Sequence, residues 1–266
     1  CPLRSRPALV VGFLAAHAGV IAFEPEAARG LRPLRESMSL TDPYLGARAL
    51  ALLGRDALLA GDYHRAALDL ERAALELGER KETQRLAGLM MANRARALSA
   101  MGQHESAAKA FGQAGLRLSP WPGMQMQAQL GLAHSLIFAG RMDSAAQSLQ
   151  QVEKGVGQVP DDEQAGLRRS LALDWALLAI KKGDSAQAKQ IYLAVAKEAL
   201  AASDVKAGAI AQTNLAELEN DGGHFPQALG HAESALKWLD PQSQADAVWQ
   251  ALTEKGRALA GLGKGK

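Results

Sequence analysis

The chain has 266 residues, 48% of them hydrophobic and 22% charged but only 5% aromatic. Alanine and leucine therefore carry the apolar content, and burial must come from close helix contact rather than from large aromatic anchors. With 30 basic and 28 acidic residues the net charge is +2, which gives no general pull toward nucleic acid or an anionic membrane. The single cysteine, Cys1, excludes a disulfide framework and a cysteine-based metal site. Strand-forming runs of β-branched and aromatic residues are absent, which excludes a sizeable sheet.

The chain begins with Cys1 rather than Met, so the expectation is a processed, excised or fragmentary product. Residues 8–23, ALVVGFLAAHAGVIAF, follow Arg4 and Arg6 and are closed by Glu24-Pro25-Glu26. Two readings stay open. A basic start, an apolar centre and small residues at Ala16 and Ala18, or at Ala22, fit a secretory signal peptide or a short membrane anchor. The other reading is the buried helix of a degenerate first repeat, because the stretch falls short of the roughly twenty residues a span needs. His17, Gly12 and Gly19 also dilute it. Arginines on both sides, with Arg29, Arg32 and Arg35 following, leave the orientation of an anchor undecided. A lipidated Cys1 fits poorly, since an apolar segment follows almost at once. The signal or anchor reading places the protein in a bacterial-type envelope, with membrane contact only through that anchor. Residues 24–41 read as a linker or degenerate half-repeat.

From Asp42 onward the sequence repeats. Asp42 before Pro43 can cap and open a helix. Glycines recur at Gly61, Gly102, Gly140, Gly183, Gly223 and Gly263, at spacings of 41, 38, 43, 40 and 40, each just after an apolar-periodic stretch. Seven residues before each glycine lies a small residue: Gly54, Ala95, Ala133, Ala176, Ala216 and Gly256. Five residues after the first five glycines lies alanine, at positions 66, 107, 145, 188 and 228. Nine and twelve residues after them come Leu70 and Ala73, Phe111 and Ala114, Leu149 and Val152, Tyr192 and Val195, Ala232 and Ala235. These positions make the buried stripe of a second helix. Breaks between units are predicted at Ser119-Pro120-Trp121-Pro122-Gly123, at Pro160-Asp161-Asp162 and at Asp240-Pro241. A sixth unit supplies one helix, about residues 243–262, whose Trp249 and Leu252 are too apolar for an exposed terminal cap; that favours a truncated chain over a capping helix.

LLGRDALLAGDYHRAALDLERAALEL and NRARALSAMGQHESAAKAFGQAGLRLSP are the clearest copies, and over 42–266 the chain resembles the tetratricopeptide repeat (TPR) family. Its period near forty, against roughly thirty-four for the family, is similar to the repeats of kinesin light chains and of maltose-regulator-type sensor domains. The resemblance implies an all-α, right-handed superhelical solenoid of antiparallel helix hairpins, about five repeats plus a terminal helix. It also implies that the first helix of each hairpin lines a concave groove, through positions thirteen, ten, six, three and two before the turn glycine. Carried over, these give a groove that begins basic with Arg48, Arg55 and Arg96. It continues through His134 and Phe138, with Leu130 and Ile137 beside them, to an apolar stretch at Leu173 and Leu177. It ends acidic and polar at Glu217, Asn220 and Asp221. A clamp for a C-terminal carboxylate is not implied, because Ala51, Gln127 and Gly131 stand where polar residues would accompany Asn93.

Nothing marks an enzyme. The six histidines lack metal-ligand spacing, no serine nucleophile elbow occurs, and the glycines from Gly256 to Gly263 fail as a phosphate loop because no strand precedes them. His104 shares its repeat place with Tyr63 and Phe225 and reads as a packed turn residue. The expectation is an interaction scaffold without cofactor or metal, binding a protein or peptide that has an acidic end and apolar anchors, and not nucleic acid directly. Two alternatives are a ligand- or partner-sensing module of a larger signalling or transcription-regulating protein, and an exported assembly factor for an envelope complex.

Overall fold

A computed structural model describes residues 29–35, 38, 42–78, 80–241 and 245–263. Residues 8–23, with their signal, anchor and buried-helix readings, lie outside them. The described residues form eleven α-helices and no strand, and no helix among them is long and apolar enough to cross a membrane. The chain divides into two compact units, at Arg141 and Met142.

The first unit holds α1 (Pro43–Leu59), α2 (Tyr63–Leu77), α3 (Gln84–Ala100), α4 (His104–Arg117) and α5 (Pro122–Phe138). Each helix packs on the next, and α1 touches α3 as α3 touches α5, so the first helices of successive hairpins lie side by side. A 3-10 turn, Arg29–Leu34, leans on α1, burying Leu31 and Met38 against Ala49, Leu52 and Leu53. The second unit holds α6 (Met142–Gly155), α7 (Asp161–Lys181), α8 (Ser185–Ala202), α9 (Val205–Asp221), α10 (Phe225–Trp238) and α11 (Ala245–Gly261), with α7, α9 and α11 adjacent in the same way. The extra residues of the forty-residue period go into helices of 14 to 21 residues.

The turn chemistry is the one the glycine spacing predicts. All six turn glycines have positive φ, between 69° and 86°. Around Gly61 the N–H of Asp62 donates to the Ala57 carbonyl at 2.9 Å and that of Gly61 to Leu58 at 3.3 Å, satisfying two helix-end carbonyls. The first of these bonds, which reaches back five residues, recurs from the N–H groups of Gln103, Arg141, Asp184 and His224 at 2.8–2.9 Å. Asp42 accepts from the N–H groups of Tyr44 and Leu45, and Asp62, Asp184 and Asp204 cap their helices in the same manner. The proline-rich break is shorter than its sequence: Pro122 occupies the first turn of α5, where a missing N–H costs nothing, so only 118–121 interrupt helix.

Every one of the repeated alanines is buried, from Ala66, Ala107, Ala145, Ala188 and Ala228 to Ala95, Ala133, Ala176 and Ala216. Glycine takes the same part where a large ring must fit: a Cβ on Gly131 would collide with the Phe111 ring, and one on Gly208 with the Trp238 indole. Gly256 departs from the pattern, being exposed with no described atom near its Cβ direction. On the same helix Trp249 is 72% exposed and Leu252 is exposed.

Charge ties hold the second unit's helices in register. The Arg169 guanidinium on α7 donates to Asp204 at 2.8 Å. Burial pushes the Asp204 carboxyl up, but the Ala207 N–H and Arg169 outweigh it and the net shift is down. Glu219 on α9 is 4% exposed and meets Lys189 of α8 at 2.6 Å and His224 at 3.0 Å. Burial again pushes its carboxyl up, and the hydrogen bonds and charges of Lys189 and His224 bring it below the ordinary 4.5. A carboxyl with a lowered folded-state pKa stabilises above its unfolded value and loses that contribution as pH falls through the folded one.

Two stability predictions follow from this packing. Ala107→Trp overfills the α3–α4 contact and lowers stability by about 3 kcal/mol, read as a lower urea midpoint by circular dichroism, whereas an unchanged midpoint contradicts the alignment of repeats. Glu219→Gln lowers stability by about 1–3 kcal/mol at neutral pH. Its melting temperature converges on that of the parent chain as the medium is acidified below the carboxylate range, and a gap independent of pH refutes the ion-pair account.

Candidate functional site

The first helices of each unit present two chemically different faces. In the first unit, Arg55 of α1 and Arg96 of α3 are exposed and Arg48 is half-buried, its guanidinium 5.6 Å from the centre of the Tyr44 ring. Arg96 donates to the Asn93 side chain, so Asn93 serves a neighbour on its own helix. Partial desolvation lowers the Arg96 pKa although its side chain reaches solvent, and a guanidinium stays protonated through any physiological pH. At the end of α5, Phe138 is 43% exposed. Its ring stacks on His104 with centroids 5.2 Å apart and tilts against His134 at 5.0 Å. Leu130 and Ile137, expected on this face, are instead buried within the unit. Positions ten and three before the glycine turn toward packed neighbours here, whereas His134 at position six is half-buried and Phe138 at position two is exposed.

In the second unit Leu173 and Leu177 of α7 are half-buried, with Leu173 packed against the core that α7, α8 and α9 share. Glu217 and Asp221 of α9 are exposed. Asn220, placed by the sequence in the groove, is 6% exposed and faces α11: its amide Nδ2 donates to both the backbone oxygen and the carboxylate of Glu254, each at 2.9 Å. Asn220 is therefore a strut between α9 and α11. Arg257 of α11 donates to Asp221 at 2.7 Å and to Glu254 at 2.9 Å. Partial burial and the neighbouring charges of Glu254 and Asp221 raise the Glu217 carboxyl above its ordinary value.

Glu254, Arg257 and Asp174 escaped the sequence reading, although a signal existed. Nine residues before successive turn glycines stand Asp174, Asn214 and Glu254, and six before the last stands Arg257, the register of Arg55 and Arg96. Tyr192 was read only as core. It is wholly buried, as expected, but its hydroxyl has no hydrogen-bond partner. Burial pushes the phenol pKa up, the nearby Asn214 side chain opposes this without bonding geometry, and Glu217 and Asp174 push it up further. The hydroxyl thus lies among the polar residues of α7 and α9.

On the other side of α3 a cleft of about 670 Å³ opens between α2, α3 and α4 under the exposed Leu75 and Leu116. Its arginines are engaged: Arg94 pairs with Glu71 at 2.8 Å, and Arg117 donates to the Gly78 carbonyl at 3.1 Å. Among the described residues no group of three or more His, Cys, Asp or Glu is arranged to hold a metal ion.

No protein-family model and no curated protein sequence matches the chain. Solved structures do. A Rap protein complexed with Competence and Sporulation Factor superposes with a TM-score of 0.63 at 13% identity, over 95% of this chain and 86% of that one. BtubC (BKLC) from P. vanneervenii superposes with a TM-score of 0.53 at 17% identity, over 78% of this chain and 84% of that one. Both are TPR-like helical-repeat proteins. The fold is TPR-like. Within it, the first-helix faces carry the side chains that repeat packing does not consume.

Asn220→Ala tests the strut. It should cost about 1–2 kcal/mol and speed amide hydrogen exchange in 251–258 of α11, while unaltered exchange there would return Asn220 to the candidate surface.

Proposed function

We propose that this TPR-like chain is a polypeptide-binding module that takes its partner on the exposed faces of the first helices. The observation that carries this reading is the division of labour inside each repeat. The alanines at two fixed places are buried between helices, whereas the place six residues before the turn glycine stays open or half-open and changes chemistry from unit to unit. Arg55, Arg96, His134, Leu177 and Glu217 occupy that place. Packing alone gives no reason for that succession. A surface that reads side chains does. The Rap neighbour, solved with a peptide factor bound, supports a polypeptide partner for a fold of this kind.

In the first unit, Arg48, Arg55 and Arg96 attract a carboxylate-bearing segment, and Phe138 between His104 and His134 offers an exposed aromatic plane for an apolar or aromatic side chain. In the second, Leu173 and Leu177 give a partly apolar surface beside Glu217. The partner on this reading is an extended or helical segment anchored by a few such side chains.

The test is selection of a phage-displayed random dodecapeptide library on the immobilised chain. The parent chain should enrich peptides carrying Asp or Glu, and Arg48→Glu, Arg55→Glu and Arg96→Glu combined should abolish that class while helicity by circular dichroism is preserved. Equal enrichment of acidic peptides on both proteins rejects the role of the arginines.

A further inference from the structure

The second unit's face has the opposite polarity to the first, and its unsatisfied atoms say what it lacks. Resting on the polypeptide-binding reading above, we propose that the face formed by α7, α9 and α11 seats a basic side chain of the bound polypeptide, an ammonium or guanidinium group, against Glu217.

Four carboxylates, Asp174, Glu217, Asp221 and Glu254, lie on these three helices, Asp174 and Glu254 at the same repeat position, with Arg257 and Lys181 as the cations whose charge reaches Glu217. Arg257 spans Asp221 and Glu254 and so is committed to them. Glu217 makes no hydrogen bond or ion pair among the described residues, although burial and two neighbouring carboxylates disfavour its charge. A cation brought beside it relieves both penalties.

The buried polar atoms agree with the charges. Among the described residues of the second unit, the two buried side-chain atoms without a partner are both oxygens, the Tyr192 hydroxyl and the Asn220 Oδ1. Both residues are more than nine-tenths buried. The Asn220 amide cannot turn over to hide its oxygen, because its Nδ2 donates to two Glu254 oxygens and a flip would set oxygen against oxygen. The Tyr192 hydroxyl lies between α7 and α9, within the field of both Asp174 and Glu217. A carboxylate without a bonded partner, with two unpaired oxygens on the helices that carry or pack against it, calls for a donor-rich cation. The carboxylates are spread along three helices and are not grouped for a metal ion, so the complement is an extended group with several separated N–H bonds. A guanidinium has five such donors in a plane and an ammonium has three. Leu173 and Leu177, half-buried beside this row, suit the aliphatic stem that carries such a head group.

The full chain is panned with the same dodecapeptide library, and a selected peptide is synthesised with arginine and with citrulline, which keeps the shape and removes the charge. Peptides chosen on the parent chain should contain Arg or Lys, and the citrulline form should bind about tenfold more weakly by calorimetry. Glu217→Gln should weaken the arginine form to the same extent with an unchanged thermal melt, and on that variant citrulline should bring little further loss, as a direct pair requires. Binding of the arginine form should also weaken as acidification protonates Glu217. If the selected peptides lack a basic residue, or citrulline binds as well as arginine, the cation seat is wrong while peptide binding stands. If nothing is enriched over bare support, the binding reading itself falls.

Discussion

The architecture depends on two helices being able to approach until their backbones nearly touch. That is a steric condition, met by alanine at a fixed distance on either side of the turns at Gly102, Gly140, Gly183 and Gly223 and by glycine where a ring must fill the contact, as Gly131 does for Phe111 and Gly208 for Trp238. The turn itself must reverse the chain within three residues, and only a left-handed residue closes the last helical carbonyls in that space. Glycine spacing and alanine placement are thus one constraint seen twice. Helix propensity helps, but many of these segments would be marginal alone, and tertiary contact of the small-residue faces sustains them.

Such regularity explains why the fold was legible and where legibility ended. The turn glycines, the Asp42 cap and the alanine stripe each follow from local sterics or local hydrogen bonding, which sequence encodes directly. The exposure of individual first-helix residues does not. Positions ten, six and three before the glycine sit within one helix face, and a modest rotation decides which of them meets a neighbouring helix. Arg55, Arg96 and Glu217 came out exposed, whereas Leu130, Ile137 and Asn220 turned inward. For the leucine and isoleucine the apolar surface decides; for Asn220 the Glu254 oxygens across the gap do. That partner lies 34 residues away, at a place the five-unit alignment stopped short of.

Buried polar atoms separate structural from available residues better than charge alone. Glu219 and Glu217 are two positions apart on α9, so they point about 200° apart around a helix. Glu219, almost fully buried, is satisfied by Lys189 and His224, and its carboxyl is held ionised. Glu217, exposed, has carboxylates for neighbours and no bonded partner among the described residues, and its carboxyl is pushed toward the neutral form. The same residue type on the same helix is a tie in one case and an unmet demand in the other.

That contrast bears on how a repeat protein acquires specificity. Positions that make the hairpin cannot vary without cost, because a methyl group more or less is felt throughout a close-packed contact. Variation is confined to the open side of the first helices, and there each unit can change one side chain without disturbing the next. In this chain the freedom has been used to set arginines on α1 and α3 and carboxylates on α7, α9 and α11. Of these carboxylates Glu217 has no bonded partner among the described residues, so it remains available to a group brought from outside. A pair formed between successive hairpins inside one unit, as Lys189 forms with Glu219, stabilises the fold and recognises nothing.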